Sequence, residues 1–427
     1  MRAMWRALVV SVVLALVTAA CAGDTTEDDD EATVIRVFGN YRGADADAFR
    51  AELEVFSQAT GIETDYVGTA AFAARIQDRI RDGDPPDVAL FPQPAILAEM
   101  ARSGFLVPLD GDLAASVEAG YPDWAIDRGT VDGDLYGVWY RLSLKSLVWY
   151  PPEVFAAQGY AVPTTWDELE GLTDRMKEDG FTRWCLGMEA FAATGWVGTD
   201  WIEDLVLRLH GPDVYDAWTS GEIPFTDPRI RAAFELFSEV ALEPGEVAGG
   251  RRGILSVPAL DAIDPMFTEP PGCLLSRQGS FQAAELPEDV TFGPDGDVDV
   301  FVLPPMEGAA APLLASGEIA AAFADSEEVR ALMAFLAGPR SGDLWAARGG
   351  YNSPQVAFDR ASYDGELERR VDELVRSAEV VRFDGADLMP PSVGTGTFWS
   401  GMVDLVAGAP LDGVLIQIQS GYDQTTP

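Results

Sequence analysis

The chain has 427 residues, of which 48% are hydrophobic and 10% aromatic, a composition typical of globular proteins. Its formal net charge is −41, so its surface repels nucleic acids and anionic lipids, and a polyanion-binding role is excluded. A single histidine excludes a metal centre built from several histidines, and neither a metal nor a cofactor is expected.

The first twenty residues have the pattern of an export signal. Arg2 and Arg6 flank the start of an apolar run over residues 7–17, which is too short to span a bilayer core of about 30 Å. Residues 1–20 are therefore predicted to be a signal peptide. Their end resembles a bacterial lipoprotein signal, with Cys21 as the lipidated first mature residue, although Thr18 stands where Leu is usual. Ordinary secretion with a free Cys21 thiol is the alternative.

Residues 21–32 are predicted to form a lipidated acidic tether, because closely spaced carboxylates there cannot bury a core. Roughly 400 residues follow the signal peptide, more than one hydrophobic core usually supports, which predicts two lobes.

Strands and helices alternate at the start of the mature chain. Strand-like runs cover residues 34–38, 62–67 and 87–91, and helical patterns lie between them, the first ending at Gly61. This order predicts parallel strands with a ligand at their carboxyl ends. The loops after the first and third strands are therefore candidate sites, and the first contains Tyr41, Arg42 and Asp45 as hydrogen-bonding candidates by location.

Several later elements have clear sequence signals. Residues 136–150 have strand composition throughout. Thr165 is predicted to cap a helix in a capping box with Glu168, and Asp200 with Glu203 is predicted to repeat this arrangement before a helix that ends at Gly211. Residues 227–228 predict another helix start, 301–303 a strand and 327–336 a helix.

The segment 184–201 is rich in aromatic residues. It contains three tryptophans, among them Trp196, together with Glu189 and Phe191. Sugars bind through C–H faces that rest on rings and hydroxyl groups that need polar side chains, and this segment offers both. Because aromatic residues also dominate ordinary cores, residue type alone leaves core packing and ligand contact equally open.

The segment 382–399 combines acids, glycines and aromatic residues. It holds Asp384 and Asp387, then Gly-Thr-Gly at 394–396, then Trp399. A phosphate-binding loop is excluded, because no Lys or Arg follows the glycines. The two carboxylates are compatible with glycoside hydrolysis, with hydroxyl binding or with a salt bridge to Arg382.

Two cysteines remain besides Cys21. In an oxidising compartment, Cys185 and Cys273 are predicted to form one disulfide, and two buried free thiols are the alternative.

Several motifs, spread over nearly the whole mature chain, resemble one protein family. They are the stretches at 60–62, 86–94, 145–150, 193–196, 199–204, 270–273 and 382–399. The chain resembles the extracellular solute-binding lipoproteins of bacterial ABC sugar importers, in the maltose-binding-protein-like group and most of all in its α-glucoside-binding branch.

This resemblance implies a fold and a domain organisation. The expected fold is α/β, a two-lobed periplasmic-binding-protein-like fold of type II whose lobes are joined by a multi-crossing hinge. Lobe 1 is expected at 33–139 plus 298–345, and lobe 2 at 140–297 plus 346–427.

The resemblance also implies a function. The chain is expected to be a non-enzymatic, monomeric receptor that takes an α-glucoside or related oligosaccharide and delivers it to membrane permease subunits by hinge closure. It is expected at the extracellular face of the cytoplasmic membrane, which it meets through its lipid anchor only. A secreted glycoside hydrolase using Asp384 or Glu189, or a receptor for a peptide or polyol, is the alternative.

By motif position, further residues are similar to sugar-facing groups of maltose-type receptors. Phe91 and Gln93 stand where those receptors have a tryptophan and charged groups, so ligand length and orientation are expected to differ. With the three candidates after the first strand and Asp384, the complete expected ligand-binding set is Tyr41, Arg42, Asp45, Phe91, Gln93, Arg141, Glu189, Phe191, Trp196, Gln278, Phe281, Asp384 and Trp399.

Overall fold

The computed structural model describes residues 34–306 and 311–423. The predicted signal peptide, the lipidation of Cys21 and the tether lie outside these residues. No helix within the two described ranges is long and apolar enough to cross a bilayer.

In the described part of the chain, eleven strands form two main sheets and one short hairpin. They are β1 (Val34–Gly39), β2 (Glu63–Gly68), β3 (Val88–Phe91), β4 (Thr130–Val131), β5 (Asp134–Leu135), β6 (Gly137–Leu144), β7 (Leu147–Tyr150), β8 (Ser276–Arg277), β9 (Asp299–Val302), β10 (Leu313–Ala322) and β11 (Val381–Phe383).

Sixteen α-helices occur in the described ranges. They are α1 (Gly43–Thr60), α2 (Phe72–Arg81), α3 (Pro94–Arg102), α4 (Gly111–Gly120), α5 (Asp123–Gly129), α6 (Pro152–Gln158), α7 (Trp166–Glu178), α8 (Trp196–Thr219), α9 (Pro228–Phe237), α10 (Gly250–Ser256), α11 (Glu327–Ala337), α12 (Asp343–Arg348), α13 (Glu366–Ser377), α14 (Gly385–Leu388), α15 (Trp399–Ala407) and α16 (Leu411–Asp423).

The larger sheet has the order β11-β10-β3-β1-β2, and β6 also pairs with β10. The predicted parallel pairing of the first three strands is confirmed, since β1 lies parallel to both β2 and β3. In contrast, β10 runs antiparallel to β3 and to β6. The carboxyl ends of β1 and β3 therefore meet at one edge of this sheet, next to the middle of β10.

The run 136–150, which has strand composition throughout, forms two strands that lie in different sheets. β6 pairs with β10 in the larger sheet, whereas β7 lies between β8 and β9 in the smaller one. The chain leaves one sheet and enters the other at Lys145 and Ser146. The Ser146 hydroxyl donates to Asp204 and accepts the Leu314 amide N–H, which fixes the crossing.

Two separate hydrophobic cores underlie the two lobes. The first surrounds the larger sheet and contains Phe49 and Leu90, and the second surrounds α8 and contains Trp201 and Phe234. The chain passes from the larger sheet to the smaller one at 145–146, returns to the larger sheet between β9 and β10, and passes from the first core to the second between β11 and α14. The architecture is therefore a two-lobed α/β fold with a multi-crossing hinge.

The cores assign some segments differently from the sequence analysis. Residues 346–427 were all expected in lobe 2, yet Tyr351 and Leu367 pack in the first core. The Tyr351 hydroxyl donates to the Tyr140 carbonyl oxygen at 2.8 Å, which ties this segment to β6. Conversely, β9 pairs with β7 in the smaller sheet although residues 298–345 were expected in lobe 1. The exact lobe limits stay a prediction.

The helix signals were right at most ends and wrong at one start. Thr165 caps α7 by accepting the Glu168 amide N–H, and Gly61 ends α1 in the left-handed conformation, with φ of 78°. Asp200 does not cap a helix, because α8 already begins at Trp196 and includes both Asp200 and Glu203. Gly211 interrupts α8 with non-helical angles, at the predicted place.

The predicted disulfide is confirmed. Cys185 and Cys273 are bonded, with their Cα atoms 5.4 Å apart and a separation of 88 positions in sequence. The bond joins the segment before α8 to the segment before β8, and both cysteines are buried.

Candidate functional site

A cavity of about 600 Å³ lies between the two lobes. The first lobe lines it with residues just after β1 and β3 and with the middle of β10. The second lobe lines it with the start of α8 and with residues 384–399. The cavity therefore lies at the carboxyl ends of the parallel strands, where the strand order had predicted a ligand site.

On the first-lobe side, Arg141 and Glu318 form a hydrogen-bonded wall. Arg141 Nη1 donates to Asp45 at 2.7 Å, and its guanidinium lies 4.6 Å from the ring centre of Trp345. Glu318 accepts hydrogen bonds from the Asn40 amide at 3.0 Å and the Tyr41 hydroxyl at 2.9 Å. Burial raises the pKa of Glu318, although Arg141 partly opposes the shift.

A β-bulge turns Glu318 towards this wall. Glu318 pairs with Arg141, but the next residue, Ile319, pairs with Trp139, so Tyr140 is an extra residue on β6. Gly317 precedes the bulge with φ of 154°, and a Cβ atom there would lie 2.4 Å from Trp139 Nε1. Only glycine allows β10 to approach β6 so closely.

On the second-lobe side, Lys145 is the centre of a buried ion-pair cluster. Its ammonium group donates to Asp200 at 2.9 Å and to Asp384, and all three side chains are buried. Burial lowers the pKa of Lys145, but the two carboxylates outweigh it and the net pKa is raised. Burial likewise raises the pKa of Asp384, but Lys145 outweighs burial and the net pKa is lowered.

Further acids crowd the same cluster. Burial raises the pKa of Asp200 to about 7, despite Lys145. Glu203, one turn along α8, accepts the amide N–H groups of Gly385 and Ala386 at 2.6 and 3.1 Å. Burial and then the charge of Asp384 raise the pKa of Glu203 well above its usual range. The cluster is thus richer in acids than in bases, and Lys145 supplies the positive charge at its centre.

Aromatic rings form the remaining second-lobe wall. Trp196 and Trp399, which begin α8 and α15, both line the cavity together with Phe281. The Trp196 ring lies 5.9 Å from that of Phe281, and Lys145 Nζ lies 5.3 Å from the Trp196 ring centre. Gly195 brings the two tryptophans together, because a Cβ atom at this position would lie 2.3 Å from the Trp399 carbonyl oxygen.

Three polar atoms along the first-lobe wall are buried without a hydrogen-bond partner among the described residues. They are Asn40 Oδ1, Gln93 Oε1 and Arg141 Nε, and all three residues line the cavity. Because an unpaired buried polar atom costs about 1–3 kcal/mol, such atoms usually have a partner. Their positions are suited to a polar ligand.

The structure brings most of the expected site residues together. The cavity is lined by Tyr41, Arg42, Asp45, Gln93, Arg141, Trp196, Phe281, Asp384 and Trp399.

The other four expected residues lie outside the cavity lining. Phe91 is fully buried in the first core, where its ring packs on Phe72 at 5.4 Å. Gln278 is buried, and its side-chain oxygen accepts the Gly279 amide N–H. Glu189 accepts the Phe191 amide N–H at 2.9 Å and so stabilises its own loop. Phe191 is 86% exposed on that loop.

The sequence analysis did not include four other cavity residues in its site: Lys145, Asp200, Glu318 and Asp387. A signal existed for the first, since a lysine within the apolar run 136–150 has no place in a core without an acidic partner. Asp200 and Glu203 were taken as helix-capping residues, although their spacing equally places them on one helix face. The suggested salt bridge between Arg382 and Asp384 does not form. Arg382 pairs with Asp216 at 2.7 Å, and Asp384 pairs with Lys145.

Comparison with known proteins places the chain among binding proteins. The model of the family "Bacterial extracellular solute-binding protein" matches residues 43–248. The osmoprotective compounds-binding protein GgtB of Synechocystis sp. is 44% identical over 414 residues, which cover 96% of this chain and 97% of GgtB. The alpha-glucosides-binding periplasmic protein AglE of Rhizobium meliloti is 36% identical over 407 residues, which cover 92% and 88% of the two chains.

A solved structure shows the same fold. The bacterial solute receptor AcbH, described with an exclusive preference for β-D-galactopyranose, superposes with a TM-score of 0.76. The superposition covers 92% of this chain and 98% of AcbH at 19% sequence identity.

Proposed function

We propose that this chain, which belongs to the family of bacterial extracellular solute-binding proteins, captures an α-glucoside or related oligosaccharide in the cavity between its lobes. The coarser function is that of a solute-binding receptor of an ABC importer. The relatives are binding proteins and not enzymes, so the alternative of a secreted glycoside hydrolase is set aside. The proposal concerns the solute, which we take to be of the maltose, trehalose or sucrose type.

The observation that carries the proposal is the division of the cavity into an aromatic wall and a polar wall. Trp196, Phe281 and Trp399 offer flat faces to the C–H surface of a sugar ring. Opposite them, Arg141, Asn40 and Gln93 carry polar atoms without partners in the described protein. A neutral carbohydrate presents both kinds of surface, and each misplaced hydroxyl would leave a buried group unpaired at a cost of about 1–3 kcal/mol.

The volume of the cavity and the similarity of the chain to AglE support the same class of ligand. The cavity volume of about 600 Å³ is within the range of small-molecule sites, so we expect a short oligosaccharide. AglE is named for binding alpha-glucosides and shares 36% identity over most of both chains, which supports transfer of that class.

Delivery is proposed to follow lobe closure. A sugar that contacts the polar wall of the first lobe and the aromatic wall of the second favours the closed state, which the permease subunits would then recognise. We propose that the receptor acts as a monomer, held at the extracellular face of the cytoplasmic membrane by a lipid on Cys21.

A thermal-shift panel with maltose, trehalose, sucrose, a short peptide and a polyol tests the proposed solute. A sugar at a hundredfold excess over its Kd should stabilise the protein by about 2.7 kcal/mol. Stabilisation by the peptide with no response to any of the three sugars would contradict the proposal. Intact mass of the membrane-extracted protein, before and after lipase treatment, tests the lipid on Cys21.

A second candidate is a small osmoprotective compound. GgtB, which is 44% identical over nearly the whole chain, is named for binding such compounds. The polyol in the panel tests this candidate, and stabilisation by both polyol and disaccharide would indicate a receptor that accepts both.

A further inference from the structure

Asp387 is a buried acid on the cavity wall that forms no ion pair with any described residue. It lies in α14, is 9% exposed and lines the cavity beside Asp384. Its backbone N–H donates to Asp384 Oδ1 at 3.0 Å. Among the described residues, no lysine or arginine forms an ion pair with its carboxyl group, whereas Asp384 and Asp200 share Lys145.

The wider cluster holds more acids than bases. Within the described residues, three buried cations face five buried carboxyl groups. The cations are Lys145, Arg208 and Arg277, and the acids are Asp200, Glu203, Asp204, Asp384 and Asp387. Arg277 contacts Asp204 at 2.9 Å and lies 3.7 Å from Asp200, so it is already shared between two acids. Since burying an unpaired charge is costly, we expect the two surplus acids to be uncharged.

Glu203 and Asp387 are the two acids without a cation partner, but only Asp387 faces the cavity. Glu203 is fully buried and accepts two backbone N–H groups. For Asp387, burial and then the charge of Asp384 raise the pKa well above its usual range, in agreement with its position. The charge of Lys145 and a hydrogen bond from the Gln93 side chain, in the loop after β3, partly oppose this rise, and Gln93 Oε1 has no hydrogen-bond partner in the described residues.

Among the described residues, the four elements that contact α14 most closely, namely α8, residues 392–398, α3 and β11, supply no arginine or lysine free of an ion pair. Helix α8 contributes Asp200 and Glu203, and residues 392–398 contain no titratable side chain. Helix α3 carries Glu99 and Arg102, and Arg102 forms an ion pair with Asp132. Strand β11 carries Arg382, which forms an ion pair with Asp216.

We propose that Asp387 faces the cavity as an uncharged carboxylic acid and donates a hydrogen bond to an oxygen atom of the bound carbohydrate. The inference rests on the proposed function for its ligand. It makes Asp387 a specificity-determining residue, because a donor at this position selects a ligand with an acceptor oxygen there. Binding then requires a proton on Asp387, so affinity depends on pH.

Calorimetric titration of maltose, trehalose and sucrose from about pH 5 to about pH 9 tests the proposal. For the wild type, Kd should be lowest at acidic pH and rise about tenfold per pH unit above the pKa of Asp387. D387N keeps a donor in its amide group, so it should bind at every pH without this dependence. D387L lacks a donor and should bind about tenfold more weakly at acidic pH.

A matched control and a sugar-free measurement separate the possible failures. D47N makes the same change at the exposed Asp47 on α1 and should retain the wild-type pH profile. Without sugar, the difference in melting temperature between D387N and wild type should be small at acidic pH and grow as pH rises. If no sugar binds the wild type, the proposed function fails, while a growing difference still supports an uncharged Asp387.

Two results would overturn the inference. One is a wild-type Kd that stays constant over this pH range while D387N loses binding, which would make Asp387 a charged acceptor. The other is a melting difference between D387N and wild type that does not change with pH.

Discussion

Lys145 determines the electrostatics of the second-lobe wall. It is one of only two lysines in the chain, and it lies at the point where the chain leaves β6 for β7. Its partners come from distant parts of the sequence, Asp200 from α8 and Asp384 from the residue before α14. This one cation therefore joins three segments that meet at the hinge and at the cavity.

Replacing Lys145 should destabilise the protein strongly. K145M leaves Asp200 and Asp384 buried without their cation, and breaking a buried pair from one side costs about 3–5 kcal/mol. Urea unfolding measures the loss. Lys177, the other lysine, is 63% exposed, and its ion pair with Glu246 is long at 3.8 Å. K177M should therefore lower the free energy of unfolding by less than about 1 kcal/mol.

A second variant distinguishes charge from packing at this position. K145M/D384N removes one stranded carboxylate and should recover part of the stability lost in K145M. If K145M were as stable as K177M, the ion-pair cluster would make no measurable contribution to the stability of the fold.

The two cavity tryptophans should contribute to binding more than to stability. W196A and W399A remove ring faces from the cavity wall, and we expect each to weaken sugar binding by about 1–2 kcal/mol, with Phe at either position recovering most of it. Titration calorimetry with the stabilising sugar measures this. W124A is the control, since Trp124 packs on Trp139 at 5.3 Å in the first core, and it should lower stability without changing affinity. Unchanged affinity in both cavity variants would make these rings plain packing residues.

At the scale of elements, local signals predicted the first lobe better than the site. The alternation from β1 to β3 was readable because hydrophobic periodicity and Gly61 mark the ends of those elements. The run 136–150 was correctly expected to be strand, but the composition of its two buried strands does not show that they belong to different sheets. The start of α8 was misplaced by five residues, because its N-cap is Gly195, which has no capping side chain, and not Asp200.

Gly195 should be essential to the way α8 and α15 meet. Its φ is 116°, and a Cβ atom would approach the Trp399 carbonyl oxygen to 2.3 Å. We expect G195A to cost at least about 1–3 kcal/mol and to weaken sugar binding, because Trp196 and Trp399 must both shift. Melting temperature and sugar affinity are the measurements.

A glycine without such constraints provides the comparison. Gly413 lies within α16, and no atom lies within 4 Å of a Cβ atom built there. G413A should be neutral or stabilising, because alanine favours a helix by about 1 kcal/mol over glycine. Equal effects of G195A and G413A would contradict the role given to Gly195.

At the scale of the whole molecule, the sequence predicted two lobes and many, but not all, of the residues that share the cavity wall. Trp196 and Trp399 were expected there from motif position and Asp384 as a carboxylate able to bind a hydroxyl group, and all three line the cavity. Phe91, expected from the same resemblance, packs into the first core instead, because the sequence of β3 does not show which of its side chains face the cleft. The Lys145 cluster could not be read from the sequence, because its partners lie 55 and 239 residues away.

The charge balance of the whole chain predicts greater stability at mildly acidic pH. Burial raises the pKa values of Glu203, Asp387 and Glu318 above those of the unfolded chain, and that of Asp200 to about 7. The folded state therefore binds more protons than the unfolded state from about pH 4 to at least about pH 7, so the free energy of unfolding falls as pH rises through this window. Six described carboxyl groups have lowered pKa values, namely Glu168, Asp227, Asp297, Asp325, Glu328 and Asp384. They oppose this trend mainly below about pH 4, where the carboxyl groups of the unfolded chain titrate.

Repulsion between negative charges acts in the same direction, because the net charge approaches its formal value of −41 as the carboxyl groups ionise. We therefore expect a higher melting temperature at about pH 5 than at about pH 8, and added salt should raise it more at about pH 8, where more of the repulsion can be screened. Scanning calorimetry at both pH values, with and without about 1 M NaCl, provides the comparison. Sucrose and other candidate solutes must be absent, since bound sugar would stabilise the folded state independently of charge. A protein that melts higher at about pH 8 than at about pH 5 in low salt would show that the buried acids are ionised in the folded state and fully compensated by cations.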